Sequence, residues 1–406
     1  MSRLGLGLPL AGLPRHGRRR GLPAWLNDFA PWASVAYGTT DLASPQYWRG
    51  APVSQSDVLA ETRAGSALKL DADGVYQSIG ANTPLILGGA GHDVYGQIVA
   101  LNVNGNNPQS ATGWTSAGGA TKTDDGGPEF GLFFPILVQA NGNADAVRTT
   151  GGFSGTSGTT FAVKIRYVAG STGQARIRVD GPSNISRLAG TPGALAITGE
   201  TAGTFTIIRQ DANGIDFLFT PNATGTHTVS AGPNQTTGTI RLLGIDVTTG
   251  SVITPWVSNT SPAPTRPAGV STVPNYSALG YTSPRVKIRP NIGQLGIART
   301  LWASGVDADN CCLIRTTTGN LVEAVVRASA SDVVTLQSGA IGTTGIKDIE
   351  ATFKSGAFSL SVTGVAGDTD ATVQAIPTQT TARFGGLGGT TFPNLANMDF
   401  AMGEAA

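Results

Sequence analysis

The side chains that could carry chemistry are few and scattered. Retaining glycoside hydrolysis needs two carboxylates about 5 Å apart, which a strand supplies by placing acids two residues apart on one face. The local pairs are Asp307/Asp309 and Asp368/Asp370. Both sit in turn-like sequence, where Asp-x-Asp is ordinary turn chemistry, and catalysis is assigned to neither. Asp71, Asp73 and Gly74 suggest calcium, but the later Glu of a complete loop is missing, so the run reads as a hairpin turn. His16, His92 and His227 share no zinc-like spacing with one another or with a cysteine. His227 alternates with threonines and is expected at a surface or seam. Cys311 and Cys312 are the only thiols, and adjacent cysteines bridge only through a strained ring. They are expected to be free core thiols in a chain made in a reducing cytoplasm. No Gly-x-Ser-x-Gly occurs in a strand-to-helix context, and Phe153 to Gly158 reads as a loop. Glycine pairs do not precede helices, so no phosphate cradle is expected. The reading is of no catalytic residue, no metal and no cofactor.

Sugar binding asks for less: an aromatic platform with polar groups beside it. Trp302 with Asp307, Asp309 and Asn310 is one such set, and Trp114 and Trp256 are further platforms. For each indole, core or interdomain packing is the competing reading.

The elements that must position these residues are strands. Among 406 residues, 56 are Gly and only 13% are charged, with Glu and Lys scarce. That composition disfavours helices and suits short strands joined by tight turns. Phe161, Val163, Ile165 and Tyr167 alternate with Lys164 and Arg166, the period-2 mark of a half-buried strand. Ala175 to Val179 repeats it, with Arg176 and Arg178 outward. Further strands follow at intervals of about ten residues, as in sandwiches and jelly rolls. Beyond the Pro-rich linker Ser261–Pro267, runs such as 321–327, 347–353 and 357–362 form another antiparallel set. Gly319-Asn320 and Ser355-Gly356 are its hairpin turns.

The first 50 or so residues differ. Arg15, Arg18, Arg19 and Arg20 precede Trp25, Phe29 and Trp32, with prolines throughout and no periodicity. Such a segment cannot bury its aromatics alone, so an arm docking into another subunit is expected, a disordered basic tail being the alternative. The net charge of +1 gives no global argument for nucleic acid, and three clustered arginines are a small footprint. No apolar stretch approaches the ~20 residues of a membrane span. The N-terminal Arg cluster follows the apolar residues, the reverse of a secretion signal. Release by lysis is therefore expected for any role outside a cell. The expected organisation is an arm over 1–55, a small β region over 56–110, a jelly roll over 111–262 and a second sandwich over 263–406.

Several stretches carry a resemblance. Thr62 to Ala67, Asp71 to Pro84, the Asn-rich run from Asn102 to Gly113 and Trp114, Val252 to Val257 and Thr265 to Ala268 resemble phage and prophage virion appendage proteins. In these a carbohydrate-binding-like jelly roll precedes a concanavalin-like or laminin-G-like sandwich. Asp348 to Phe353, Phe358 to Gly364 and Ala382 to Gly386 match the second sandwich. The resemblance spans about residues 57–406. It departs at Val99 to Asn104, where the usual arginine is missing. The Glu-x-Asp-x-x-Glu signature of glycosidases with the second fold is also absent. The resemblance implies a virion component such as a tail fibre or head spike, assembled in the bacterial cytoplasm. Its implied partners are other virion subunits, copies of itself, most commonly in a trimer, and host-surface polysaccharide. A purely structural capsid-decoration or tail-scaffold role is the alternative, and a polysaccharide depolymerase a third reading.

Overall fold

The computed structural model describes residues 46–48, 51–53, 59–70, 75–85, 92–95, 97–143, 145–169, 173–257, 265–387 and 395–405. The expected arm, with Arg15, Arg18, Arg19, Arg20, Trp25, Phe29 and Trp32, lies outside them, as does the Asp71–Gly74 run. The described chain is all-β, with no α-helix and one short 3-10 turn at Tyr276–Leu279. It divides into two compact units. One holds the described residues of 1–72, 79–96 and 268–406; the other holds those of 73–78 and 97–267. Residues 56–110, read from sequence as one small β region, are shared between the two.

The 97–267 unit is a sandwich of two antiparallel sheets. One orders its strands Gly203–Asp211, Gly214–Pro221, Phe161–Ala169, Thr237–Thr249, Ile136–Asn141 and Thr121–Asp124. The other runs Ala194–Glu200, Ile185–Thr191, Ala175–Asp180, Gly225–Pro233, Val147–Thr150 and Trp114–Ala117, with Phe153–Gly155 beside Gly225–Pro233. Phe153 to Gly158, expected as a loop, thus begins with a short strand. Alternation explains the core between the sheets: Phe161, Val163, Ile165 and Tyr167 point in against Ile177, Val179, Val229 and Ala231. Each fully buried aliphatic or aromatic side chain here contributes about 1.5–3 kcal/mol.

The outer face of that first sheet corrects the half-buried reading. Lys164 is 1% exposed. Its Nζ lies 2.6 Å from Asp246 Oδ2 and donates to the carbonyls of Thr254 at 2.7 Å and Pro255 at 2.8 Å. The 253–257 segment therefore covers a face the alternation left to solvent. A lysine is tolerated there because a carboxylate and two carbonyls replace its water. The expected strand over Gln97–Val103 also shortens, to Ile98–Val99. Beyond it the Asn102 side chain takes over the pairing, donating to Ile245 O at 2.7 Å and accepting from Val247 N at 2.8 Å.

The other unit is a second two-sheet sandwich. One sheet orders Ser331–Gln337, Val322–Ala328, Cys311–Thr316, Arg299–Gly305, Thr381–Phe384, Val270–Thr272 and Ala60–Thr62. The facing sheet runs Val365–Asp370, Phe358–Val362, Ile349–Thr352, Pro284–Ile292, Leu395–Glu404 and His92–Val94, with Gly345–Ile346 beside Pro284–Ile292. Both expected hairpins form here, with Asn320 and Gly356 in the left-handed conformation such turns require.

Candidate functional site

The structure turns all three candidate indoles inward. Trp302 is fully buried, edge-on to Phe384 at 5.4 Å and tilted against Phe400 at 5.9 Å. A register shift between Thr300 and Trp302 puts Leu301 and Trp302 into the same core. Trp114 is 2% exposed, donates its Nε1–H to Asn104 O at 2.6 Å, and has the Arg148 guanidinium 6.0 Å above its ring. Trp256 is 2% exposed and meets Phe133 edge-on at 4.9 Å. A sugar stacks only on a face open to water, so none of the three serves as a platform; each is a packing residue.

The polar partners expected beside Trp302 build their own loop instead. Asp307 Oδ1 accepts from the backbone N–H of Asp309 at 2.9 Å and of Asn310 at 2.8 Å, and from Asn310 Nδ2 at 3.1 Å. Asn310 Oδ1 accepts from Ser329 N at 3.1 Å. Asp368 and Asp370, expected in a turn, lie instead on the edge strand Val365–Asp370. Their carboxylates are spent on backbone donors: Asp368 on Thr369 at 2.8 Å and Gln337 at 2.9 Å, Asp370 on Thr372 at 2.6 Å. The bonds from Thr372 hold the Asp370 carboxyl below its ordinary pKa. It is a bound anion at neutral pH, unsuited to giving a proton.

His227 is not at a surface or seam. It is fully buried between Phe153 and Phe219, with Nδ1 at 3.0 Å from Gly225 O. The two cysteines stand next to each other on one strand, so their side chains leave opposite faces and cannot bridge. Burial pushes the Cys311 thiol up to about 11 and Cys312 higher still. Neither is a thiolate at neutral pH. No group of three His, Cys, Asp or Glu side chains converges among the described residues.

Among the described aromatic side chains, the large one that faces solvent is one the sequence reading passed over. Between Thr121–Asp124 and Ile136–Asn141 the chain makes a tight hairpin at 129–133. Glu129 N donates to Phe133 O at 2.7 Å, and Phe133 N returns to Glu129 O at 2.9 Å. Phe130 stands at its tip, 50% exposed, with φ 50°. A bulky residue in the left-handed region is a strained exception. Three things hold it there. Its carbonyl accepts the Tyr76 N–H at 2.9 Å. Gly131 follows at φ 70°, and a Cβ on it would lie 2.8 Å from Tyr76 O, so only glycine fits. Leu132 and Phe133 are buried beneath, with Phe133 edge-on to Tyr76 at 6.0 Å as well as to Trp256.

Arg241, from strand Thr237–Thr249, clasps the base of this hairpin. Its guanidinium grips both Glu129 oxygens, Nη1 at 2.7 Å from Oε2, and its Nε bonds Asp125 Oδ2 at 2.5 Å. These bonds hold the Glu129 carboxyl below its ordinary pKa and raise that of Arg241. Gln109 Nε2 adds bonds to Gly126 O at 2.6 Å and Pro135 O at 2.9 Å. The result is a pre-organised aromatic face beside partly exposed carboxylates and a guanidinium. It can stack on an apolar ring face while the carboxylates accept from hydroxyls. Glu129, ionised and paired, offers no general acid. The signal in the sequence was a Phe set within Gly126-Gly-Pro-Glu-Phe-Gly131, an aromatic in a turn with no strand to bury it.

No protein family matches this chain, and no curated protein matches it. Among solved structures it is similar to the tail fiber protein gp63.1 from E. coli phage G7C, at 10% identity and a TM-score of 0.23 over 84% of this chain. The chain spans 46% of the length of that protein. It is similar to the CBM22-1-CBM22-2 tandem domain of Paenibacillus barcinonensis Xyn10C, at 8% identity and a TM-score of 0.26, over 76% of this chain and 96% of that one. It is also similar to Trypanosoma rangeli sialidase, at 9% identity and a TM-score of 0.26, over 84% and 96%. Likenesses this distant carry no argument about what the chain does.

Proposed function

We propose that this chain is a non-enzymatic structural subunit of a phage-like particle that presents a glycan-binding face, with Phe130 as its aromatic platform. The carrying observation is the hairpin: a half-exposed phenylalanine at positive φ, its carbonyl held by the Tyr76 N–H, above a base clasped by Arg241, Glu129 and Asp125. Strain of this kind recurs at ligand clamps. Two sandwiches rich in short strands suit a projecting appendage, and the sequence resemblance to virion appendages supports the same assignment. In this reading the N-terminal segment docks to other virion subunits, copies of the chain assemble as a trimer, and the protein resides in the virion.

The test is binding of the full chain to polysaccharide from candidate host envelopes. Saturable binding lost in F130A, with no shortening of the polymer, supports the proposal. Shortened polymer would make the chain a depolymerase. Binding that is absent altogether, together with loss of particle attachment on deleting residues 1–50, would leave a scaffold role only.

A further inference from the structure

One charged side chain in the other unit is buried with two guanidinium nitrogens that no hydrogen-bond partner meets among the described residues. Arg383 lies on strand Thr381–Phe384, between Ala382 and Phe384, both of which point into the core. Alternation turns Arg383 to the opposite face of its sheet. There it stands across from Ala303 on one neighbouring strand and Thr272 on the other. It is 6% exposed, and its Nε and Nη2 make no hydrogen bond among the described residues. Burial alone acts on it, pulling its pKa below the ordinary value, and no charged group offsets that.

The other arginines of that face show the contrast. Arg315 bonds Glu323 at 2.6 Å and Asp332 at 3.1 Å, and Arg327 bonds Asp332 at 2.7 Å. Arg383 alone of these three is unmatched, although an uncompensated buried charge is among the costliest features a fold can carry. The two unbonded nitrogens, both buried, are not an arbitrary pair. Nε–H and Nη2–H lie on the same edge of the guanidinium and point the same way. Together they form the fork that takes both oxygens of a carboxylate. One fork with no second cation beside it matches a planar monoanion better than a phosphate dianion. The neighbours across the strands are small, so Arg383 is the longest side chain in its row. Leu387, just beyond the strand, packs against Ala303, Cys311, Leu313 and Val325 on the same face.

We propose that Arg383 is the pre-built half of a carboxylate site, taking a small organic acid or the acid group of a sugar through its Nε and Nη2. This site is separate from the Phe130 hairpin and stands whether or not that hairpin binds glycan.

The test follows the Arg383 Nε–H resonance of the full-length chain, assigned by its loss in R383K. The titrants are sodium acetate, sodium glucuronate and a polyuronate, against sodium chloride at matched ionic strength. The expected result is a saturable shift with the carboxylates and none with chloride. For the variants, which lack that resonance, affinity is read by titration calorimetry, and it should fall about tenfold or more in R383K and vanish in R383M. A response to acetate and glucuronate assigns a small acid; a response confined to the polymer assigns a chain-borne sugar acid. In the absence of ligand, R383M should keep or raise the thermal midpoint, because it removes an unmatched buried charge. Three results would overturn the proposal: an Nε–H that ignores every carboxylate, an R383M chain less stable than wild type, or an R383M chain that loses an oligomeric state. The last would hand the fork to a partner chain.

Discussion

Replacing Phe130 by alanine and, separately, by glycine isolates the strain at the hairpin tip. Both changes remove the ring. With half of it exposed, the covered half contributes about 1 kcal/mol on the scale of full Phe burial. Alanine keeps a Cβ at φ 50° and so keeps the left-handed penalty of roughly 1–2 kcal/mol. Glycine relieves that penalty but adds about 0.5–1 kcal/mol of unfolded-chain entropy. F130A should therefore lose about 1 kcal/mol, while F130G should be the more stable of the two by about 0.5–1 kcal/mol. In a unit of this size 1 kcal/mol moves a thermal midpoint by about 2–4 °C. Differential scanning calorimetry of the two variants reads the difference directly. The sign decides, because at a position of ordinary φ glycine is the less stable residue. A midpoint for F130A at or above that of F130G would refute the strained tip.

The remaining predictions concern groups inside each unit taken by itself. K164M should destabilise the 97–267 unit by about 3–5 kcal/mol, since Asp246 is left buried without its cation, whereas K164M/D246L should recover most of the loss; urea denaturation of both variants checks it. Glu129 has a native pKa below its unfolded value. Its contribution is thus present above the unfolded pKa near 4.3 and is lost as pH falls through the folded value. The acid limb of the stability profile should flatten in E129Q; an unchanged limb would deny the clasp. Both thiols should ignore Ellman's reagent at pH 8 in the folded chain and react in denaturant as two free groups, since both are buried and held protonated.

Much of the fold was legible because strand alternation is a local property. Phe161 to Tyr167 and Ala175 to Val179 declare their inner faces in sequence, and the same rule sends Cys311 and Cys312 apart. What failed depended on distant segments or on a shifted register. Lys164 reads as solvent-facing until residues 253–257 cross over it. Trp302 reads as a platform near Asp307 until the bulge after Thr300 carries it into the core with Leu301. Asp368 and Asp370 lack the apolar neighbours that mark a strand, yet an edge strand pairs on one side only and demands fewer of them. Phe130 escaped notice because period counting has nothing to say about a single residue in a Gly- and Pro-rich turn. Its exposure follows from hairpin geometry, which no window of alternation contains.

The most direct measurement is of contacts between bound sugar and ring. In a chain carrying ring-protonated phenylalanine on a deuterated background, nuclear Overhauser effects are recorded to an oligosaccharide of the recognised polymer. Transfer is expected between the Phe130 ring protons and the C–H groups of one sugar face, and it should disappear in F130G. Transfer to some other aromatic, or a bound sugar that leaves Phe130 untouched, would contradict it.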